Sequence, residues 1–144
     1  MGNDHIKRLA VPKTWPIRRK GHKFITKPSP GPHSLGAGLP LSVLLKEILN
    51  YAATTREAKK ILRSNDVKID GKIVRDFRYP IGIFDTVDFT NINEHFRVSL
   101  NRKGKIQLAK IKKEESSVKP CKIIGKTIVS GKLQLNLYDG KNIT

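Results

Sequence analysis

The sequence predicts an α+β protein in three consecutive parts. They are an extended basic N-terminal arm (residues 1–38), a small unit of two helices and a β-hairpin closed by a strand (39–91), and an incomplete all-β unit (92–144). Three observations lead there. Prolines at 12, 16, 28, 30 and 32 forbid a continuous helix in the arm. Apolar residues recur at helical spacing only between Leu41 and Leu62. After Val67 the pattern changes to short alternating runs, with Asp-Gly or Ser-Gly between several of them, as in β-hairpins.

The arm carries Lys7, Arg8, Lys13, Arg18, Arg19, Lys20, Lys23 and Lys27 against one acid, Asp4. Its few apolar residues show no period, so it is expected to take its shape from what it binds. Trp15 and Phe24 lie among these cations. They either stack on unpaired bases or pack onto the neighbouring unit.

The first helix is expected to start after Pro40, with Leu41, Leu44, Leu45, Ile48, Leu49 and Ala52 on one side. Thr54 followed by Glu57 reads as a capping box opening the second helix. That helix sets Ala58, Ile61 and Leu62 against Arg56, Lys59, Lys60 and Arg63, which recur at i, i+3, i+4 and i+7. Unpaired, four such cations repel one another. A phosphate backbone would relieve the repulsion, and the helix N-terminus is expected to attract a further anion. A solvated cationic face is the plainer reading. The helix should stop around Ser64-Asn65-Asp66. Val67 to Val74 then form a hairpin turning at Asp70-Gly71, with Lys68, Lys72, Arg75 and Arg78 close by. Val87 and Phe89 alternate with Asp88 as in a half-buried strand.

In the last part Phe96, Val98 and Leu100 alternate, Arg102 to Lys105 make a basic turn, and Ile106 and Leu108 resume the pattern. Lys112 to Ser117 reads as a polar linker. Thr127-Ile128-Val129 and Leu133 to Leu137 flank a second hairpin turn at Ser130-Gly131. Asp139-Gly140 then has only a few residues after it, so this unit looks cut short.

The 144 residues include 29 Lys+Arg and 12 Asp+Glu, a formal net charge of +17, which attracts polyanions. No apolar run approaches the roughly 20 residues needed to span a bilayer. The start, Met1 to His5, lacks the apolar core of a signal peptide. Nucleic acid is therefore the expected partner and the cytoplasm the expected compartment, with no membrane and no small-molecule substrate. The lone Cys121 fits a reducing compartment. His5, His22, His33 and His95 are scattered, so no metal site and no cofactor are expected. No phosphate-binding glycine loop and no nucleophile elbow occurs, and an enzyme is not expected.

Residues Ala53 to Leu62, followed by Val67 to Val74, resemble the alpha-L RNA-binding motif. That motif is shared by ribosomal proteins, some tRNA synthetases, pseudouridine synthases and a heat-shock RNA-binding protein, so it does not choose among them. The flanks do. His5-Ile6-Lys7-Arg8-Leu9-Ala10-Val11-Pro12-Lys13-Thr14-Trp15 resembles the opening of the archaeal and eukaryotic "S-four-e" family of small-subunit ribosomal proteins. Lys27 to His33 followed by Leu39-Pro40-Leu41, and Gly131 to Leu137 running into Asp139 to Ile143, resemble it too. The resemblance implies an RNA-binding arm and alpha-L domain on 16S-type ribosomal RNA, neighbouring ribosomal proteins, and a central β domain. Members of that family usually continue into more of the central domain and a small KOW-type barrel, and this sequence departs from the pattern there, being either truncated or not represented further. The expected RNA contacts are Arg56, Lys59, Lys60, Arg63, Lys68, Lys72 and Arg75, with the eight arm cations and Trp15. A free RNA chaperone or translation-quality factor built on the same motif is the alternative.

Overall fold

The computed structural model describes residues 4–64 and 66–144; the chain start at 1–3 and Asn65 of the expected helix stop lie outside the described residues. Helix and strand are mixed, and the strands form several separate sheets.

The arm departs from expectation, because it has structure of its own and is docked. Strand β1 (His5–Lys7) pairs antiparallel with β2 (Phe24–Thr26), setting Ile6 opposite Ile25. Between them Val11 and Trp15 turn inward, and Trp15 is only 2% exposed. Its indole Nε1–H donates to Gly38 O at 2.9 Å, so the ring is buried without leaving a polar group unpaired. The Thr14 carbonyl accepts from Ile106 N at 2.8 Å, tying the arm to the third part of the chain. Proline and positive charge dominate the arm's composition, but one tryptophan and a few aliphatic side chains give it enough apolar surface to dock.

Strand β3 (Gly38–Pro40) pairs with β6 (Pro80–Gly82), placing Leu39 opposite Ile81. Helix α1 (Leu41–Val43) continues into a wide π-helical turn over Leu44–Ile48. The expected regular helix to Ala52 is thus shorter and wider. Leu49 N bonds Leu44 O, and Asn50 at φ +57° ends the turn in a left-handed conformation. The expected apolar face is buried: Leu41, Leu44 and Leu45 are fully enclosed.

Helix α2 (Thr55–Arg63) opens with the expected capping box. Thr54 Oγ1 accepts from Glu57 N at 3.2 Å, and Glu57 Oε2 accepts from Ala53 N at 2.7 Å and Thr54 N at 3.4 Å. Ala58 and Leu62 are fully buried while Arg56, Lys59, Lys60 and Arg63 are exposed, as the two-faced pattern requires.

Strands β4 (Val67–Ile69) and β5 (Lys72–Ile73) form the expected hairpin. Its turn residues Asp70 and Gly71 both have positive φ, +49° and +77°, the geometry that matches strand twist in a two-residue loop. Strand β7 (Thr86–Phe89) pairs with β4 on one side and with β8 (Glu94–Leu100) on the other; β9 (Ile106–Lys110) completes an antiparallel sheet of order β5-β4-β7-β8-β9. This sheet runs straight across the expected boundary at residue 91. The second unit therefore shares its sheet, and through Val87, Phe89, Phe96 and Val98 its core, with the start of the third.

The expected polar linker contains a short helix, α3 (Lys113–Ser116). Beyond it β10 (Ile123–Val129), β11 (Lys132–Leu137) and β12 (Asn142–Ile143) make a separate antiparallel sheet. Its β10–β11 turn, Ser130-Gly131, has the same paired positive φ values as the first hairpin. Most of its side chains are exposed.

Because Trp15 carries the arm's docking, Trp15→Ala should lower stability by about 3–5 kcal/mol. Urea unfolding followed by far-ultraviolet circular dichroism measures this; a loss below about 1 kcal/mol would mean that the arm is not part of the cooperative fold.

Candidate RNA interface

Helix α2 presents its cations on the side away from Ala58 and Leu62. Arg56, Lys60 and Arg63 make no ion pair among the described residues. Lys59 Nζ instead lies 4.3 Å over the Phe77 ring, a cation–π contact that orients it and keeps its charge. The basic run continues into the hairpin, where Lys68 is half-buried on β4 and Lys72 and Arg75 are exposed.

The helix N-terminus does not add the expected anion site in the simple form. The Glu57 carboxylate already accepts the Ala53 and Thr54 amides, and these hydrogen bonds, Ala53 first, hold its pKa below the usual carboxylate range. The protein supplies its own anion there.

The arm cations divide into two groups. Lys7, Lys13, Arg18, Lys20 and Lys23 are exposed and Lys27 is half-buried. Arg8 is buried: its guanidinium bonds Glu47 Oε1 at 2.5 Å and Arg18 O at 3.0 Å. Arg19 donates to the carbonyls of Leu9, Val11 and Pro12. Arg8 and Trp15, both expected at RNA, are therefore occupied inside the fold, because docking the arm needs an apolar anchor and a counter-charge for Glu47. Phe24 remains 47% exposed, with Lys23 Nζ 5.4 Å over its ring and His5 packed edge-on. The folded arm also brings Arg18, Lys20, His22 and Lys46 around one recess beside the Arg8–Glu47 pair. Sequence reasoning missed His22 and Lys46 as members of this group; only the fold brings them beside the arm.

A second charged group was not anticipated at all. Lys119 Nζ lies 2.6 Å from Asp70 Oδ2, 2.5 Å from Asp85 Oδ1 and 3.1 Å from Asp139 Oδ2. Lys141 Nζ joins Asp70 at 2.8 Å and Asp139 at 3.4 Å, and the buried His33 meets Asp85 through Nε2 at 2.8 Å. Burial works against ionising Asp70 and Asp139, but hydrogen bonds from Lys119, with help from Lys141, outweigh it and hold both carboxyls below their ordinary range. Burial likewise works against charging Lys119 and Lys141, and bonds to the carboxylates reverse this, holding both ammonium groups above theirs. Asp70, Asp139, Lys119 and Lys141 are therefore charged at neutral pH. Apart from the Lys141–Asp139 pair, its partners lie 20 to 71 residues apart, so no local motif announces it.

Among the described residues, no helix is long and apolar enough to cross a membrane, and no three His, Cys, Asp or Glu side chains are grouped to hold a metal ion.

Two family models match the chain: the RS4NT (NUC023) domain over residues 2–36 and the ribosomal family S4e over residues 92–144. The small ribosomal subunit protein eS4 of Caldivirga maquilingensis is 45% identical over 140 residues, covering 96% of this chain and 59% of the relative. The protein of the same name from Methanococcus aeolicus is 47% identical over 139 residues, covering 96% and 56%. The crystal structure of the 30S ribosomal protein S4e from Thermoplasma acidophilum superimposes with a TM-score of 0.61 at 32% identity, over 74% of this chain and 55% of that one. The chain thus spans little more than half the length of the curated relatives it matches.

The Lys119 group makes a signed prediction. The carboxylate contribution is present above the usual carboxylate range and lost as pH falls through the depressed values. The lysine contribution is present below the usual lysine pKa and lost as pH rises through the raised values. The contribution of these four groups should therefore be level between about pH 5 and 9. Lys119→Met leaves buried carboxylates uncompensated and should cost about 3–5 kcal/mol at pH 7. That deficit should narrow on acidification, as the carboxylates protonate. Urea unfolding across pH tests this, and a pH-independent deficit would contradict it.

Proposed function

The chain belongs to the ribosomal S4e family, and from that premise we propose that it is a structural constituent of the small ribosomal subunit, bound to ribosomal RNA. The observation that carries the RNA contact is the α2 face, where Arg56, Lys60 and Arg63 stand exposed and, among the described residues, without acid partners, opposite the fully buried Ala58 and Leu62. Such a face is rigid, because the capping box and the packed side hold the helix. Phosphate neutralisation supplies affinity, and the spacing of the cations along a fixed helix supplies fit to RNA shape.

Lys59, Lys68, Lys72 and Arg75 extend this contact along the hairpin, and residues 39–91 act as an alpha-L type RNA-binding unit. Lys7, Lys13, Arg18, Lys20, Lys23 and Lys27 make a second, arm-borne contact. Arg8, Trp15 and Arg19 serve it indirectly by fixing the arm's course. The work is architectural and takes place in the cytoplasmic ribosome, beside other ribosomal proteins. No catalysis and no cofactor enters it. The names of the relatives favour this reading over a free RNA chaperone.

Arg56→Glu with Lys60→Glu should weaken binding to small-subunit ribosomal RNA and reduce the salt slope by about 1 per residue, with the circular dichroism spectrum unchanged. Wild-type affinity should fall by about 10³–10⁵ between 50 and 200 mM salt if roughly 6–10 phosphates are contacted. Filter binding at low salt reads both, and unchanged affinity of the double variant would remove α2 from the interface. Stoichiometric cosedimentation with 30S-type particles through a moderate salt wash tests the structural role.

A further inference from the structure

Against the Lys119 group, with Lys119, Asp139 and His33 in its lining, lies a half-open cavity of about 210 Å³ that is otherwise predominantly apolar. Its walls come from three places: Ile83 and Phe84 in the turn between β6 and β7, Cys121 and Lys122 just before β10, and Tyr138 just after β11. Two aromatic side chains border it and neither is covered; Phe84 is 49% exposed and Tyr138 52%.

The backbone at Phe84 has φ +70°, a left-handed conformation that a bulky residue rarely adopts. Such a residue persists only where its surroundings over-determine it. Here they do. Phe84 N donates to Val98 O at 2.9 Å and Asp85 N to Gly82 O at 3.2 Å. The buried Asp85 carboxylate takes Gly82 N at 2.9 Å, His33 Nε2 at 2.8 Å and Lys119 Nζ at 2.5 Å. Gly82 packs so closely on the His33 ring that a Cβ there would collide with it. The same Lys119 fixes the second wall, and its ion pair with Asp139 fixes the third, helped by the bond from Tyr138 N to Lys122 O at 2.9 Å. The cavity is thus preformed, and an exposed ring is held at its mouth against local backbone preference.

We infer that this cavity receives one unpaired RNA base, stacked against the exposed ring of Phe84 or Tyr138, with Lys122 beside it for the adjoining phosphate. This rests on the RNA-binding reading above and adds to it a site built from residues outside α2. The volume is below the roughly 300–1,000 Å³ typical of drug-sized ligand pockets, which suits one planar ring rather than a cofactor. Aromatic platforms of this kind accept bases because every base has a π-face, and a chain of net charge +17 brings the strand to them.

The lone thiol supplies a reporter, since the exposed Cys121 lines the cavity and has no competitor in the chain. The full 144-residue chain is alkylated with a maleimide, alone and with a saturating single-stranded oligoribonucleotide carrying one 2-aminopurine, or with a duplex of equal length. Single-stranded RNA should slow Cys121 alkylation several-fold and quench the 2-aminopurine, and the duplex should do neither. Tyr138→Ala or Phe84→Ala should abolish the quenching and weaken single-strand binding roughly five- to a hundredfold with the salt slope unchanged. Phe84→Trp should retain both signals, which separates loss of the ring from loss of the fold. Equal Cys121 reactivity with bound single-stranded RNA overturns the inference, while loss of binding in the α2 double variant would leave the RNA reading intact. Protection that appears only in assembled particles, and never with free RNA, would assign the cavity to a protein neighbour and also overturn it. If no RNA binds the wild-type chain at any salt, both readings fall.

Discussion

One ammonium group, that of Lys119, ties the five-stranded sheet to the separate sheet β10–β11–β12. It meets carboxylates from the first hairpin turn, from the turn before β7 and from the end of β11. Through Asp85 it also reaches His33 at the end of the arm. The exposed sheet β10–β11–β12 has little buried apolar surface of its own, so directional, ionic contacts carry more of its placement than packing does. A buried charge group of this sort is stable only when complete: each member is expensive to bury alone and is tolerable because the others are present.

The same group shows where a very basic protein puts its few acids. The Asp and Glu side chains other than Glu114 and Glu115 each accept a bond or form an ion pair within the fold. Glu47 holds Arg8, Glu57 caps α2, Asp88 meets His95, Glu94 meets Lys110 and Tyr51, and Asp4 meets Arg78. Asp66 and Asp76 complete local turns. Tyr51 is pushed up to about 12 by burial and by its bond to Glu94, so it too remains a neutral structural donor. With the carboxylates engaged internally, the exposed cations of α2 and the arm make no ion pair among the described residues. The positive outer surface follows from this internal use of acid as much as from the number of lysines and arginines.

The arm illustrates how composition can mislead. Dense proline and positive charge ordinarily mean a segment too polar to fold. Here Trp15, Val11 and Ile25 are buried, and Arg8 and Arg19 satisfy carbonyls and a carboxylate rather than phosphates. The arm therefore offers RNA a shaped cationic edge with a restricted set of side chains.

The sequence by itself determined the local features: the Thr54–Glu57 capping box, the two faces of α2, the turns at Asp70-Gly71 and Ser130-Gly131, and the inward alternation of Val87, Phe89, Phe96 and Val98. All depend on residues a few positions apart, whose geometry is set by backbone period and turn chemistry. The flanking signatures likewise sufficed for the family. Only the tertiary structure decided that the arm docks, that β7 and β8 join the second and third parts in one sheet, that Arg8 and Trp15 are internal, and that Lys119 gathers three aspartates beneath the cavity at Phe84. Those contacts join residues tens of positions apart, and a side chain's role there depends on what the fold brings to it. Lys119 and Lys60 are the same type of residue, and burial among carboxylates makes one a structural tie while exposure leaves the other to the solvent side.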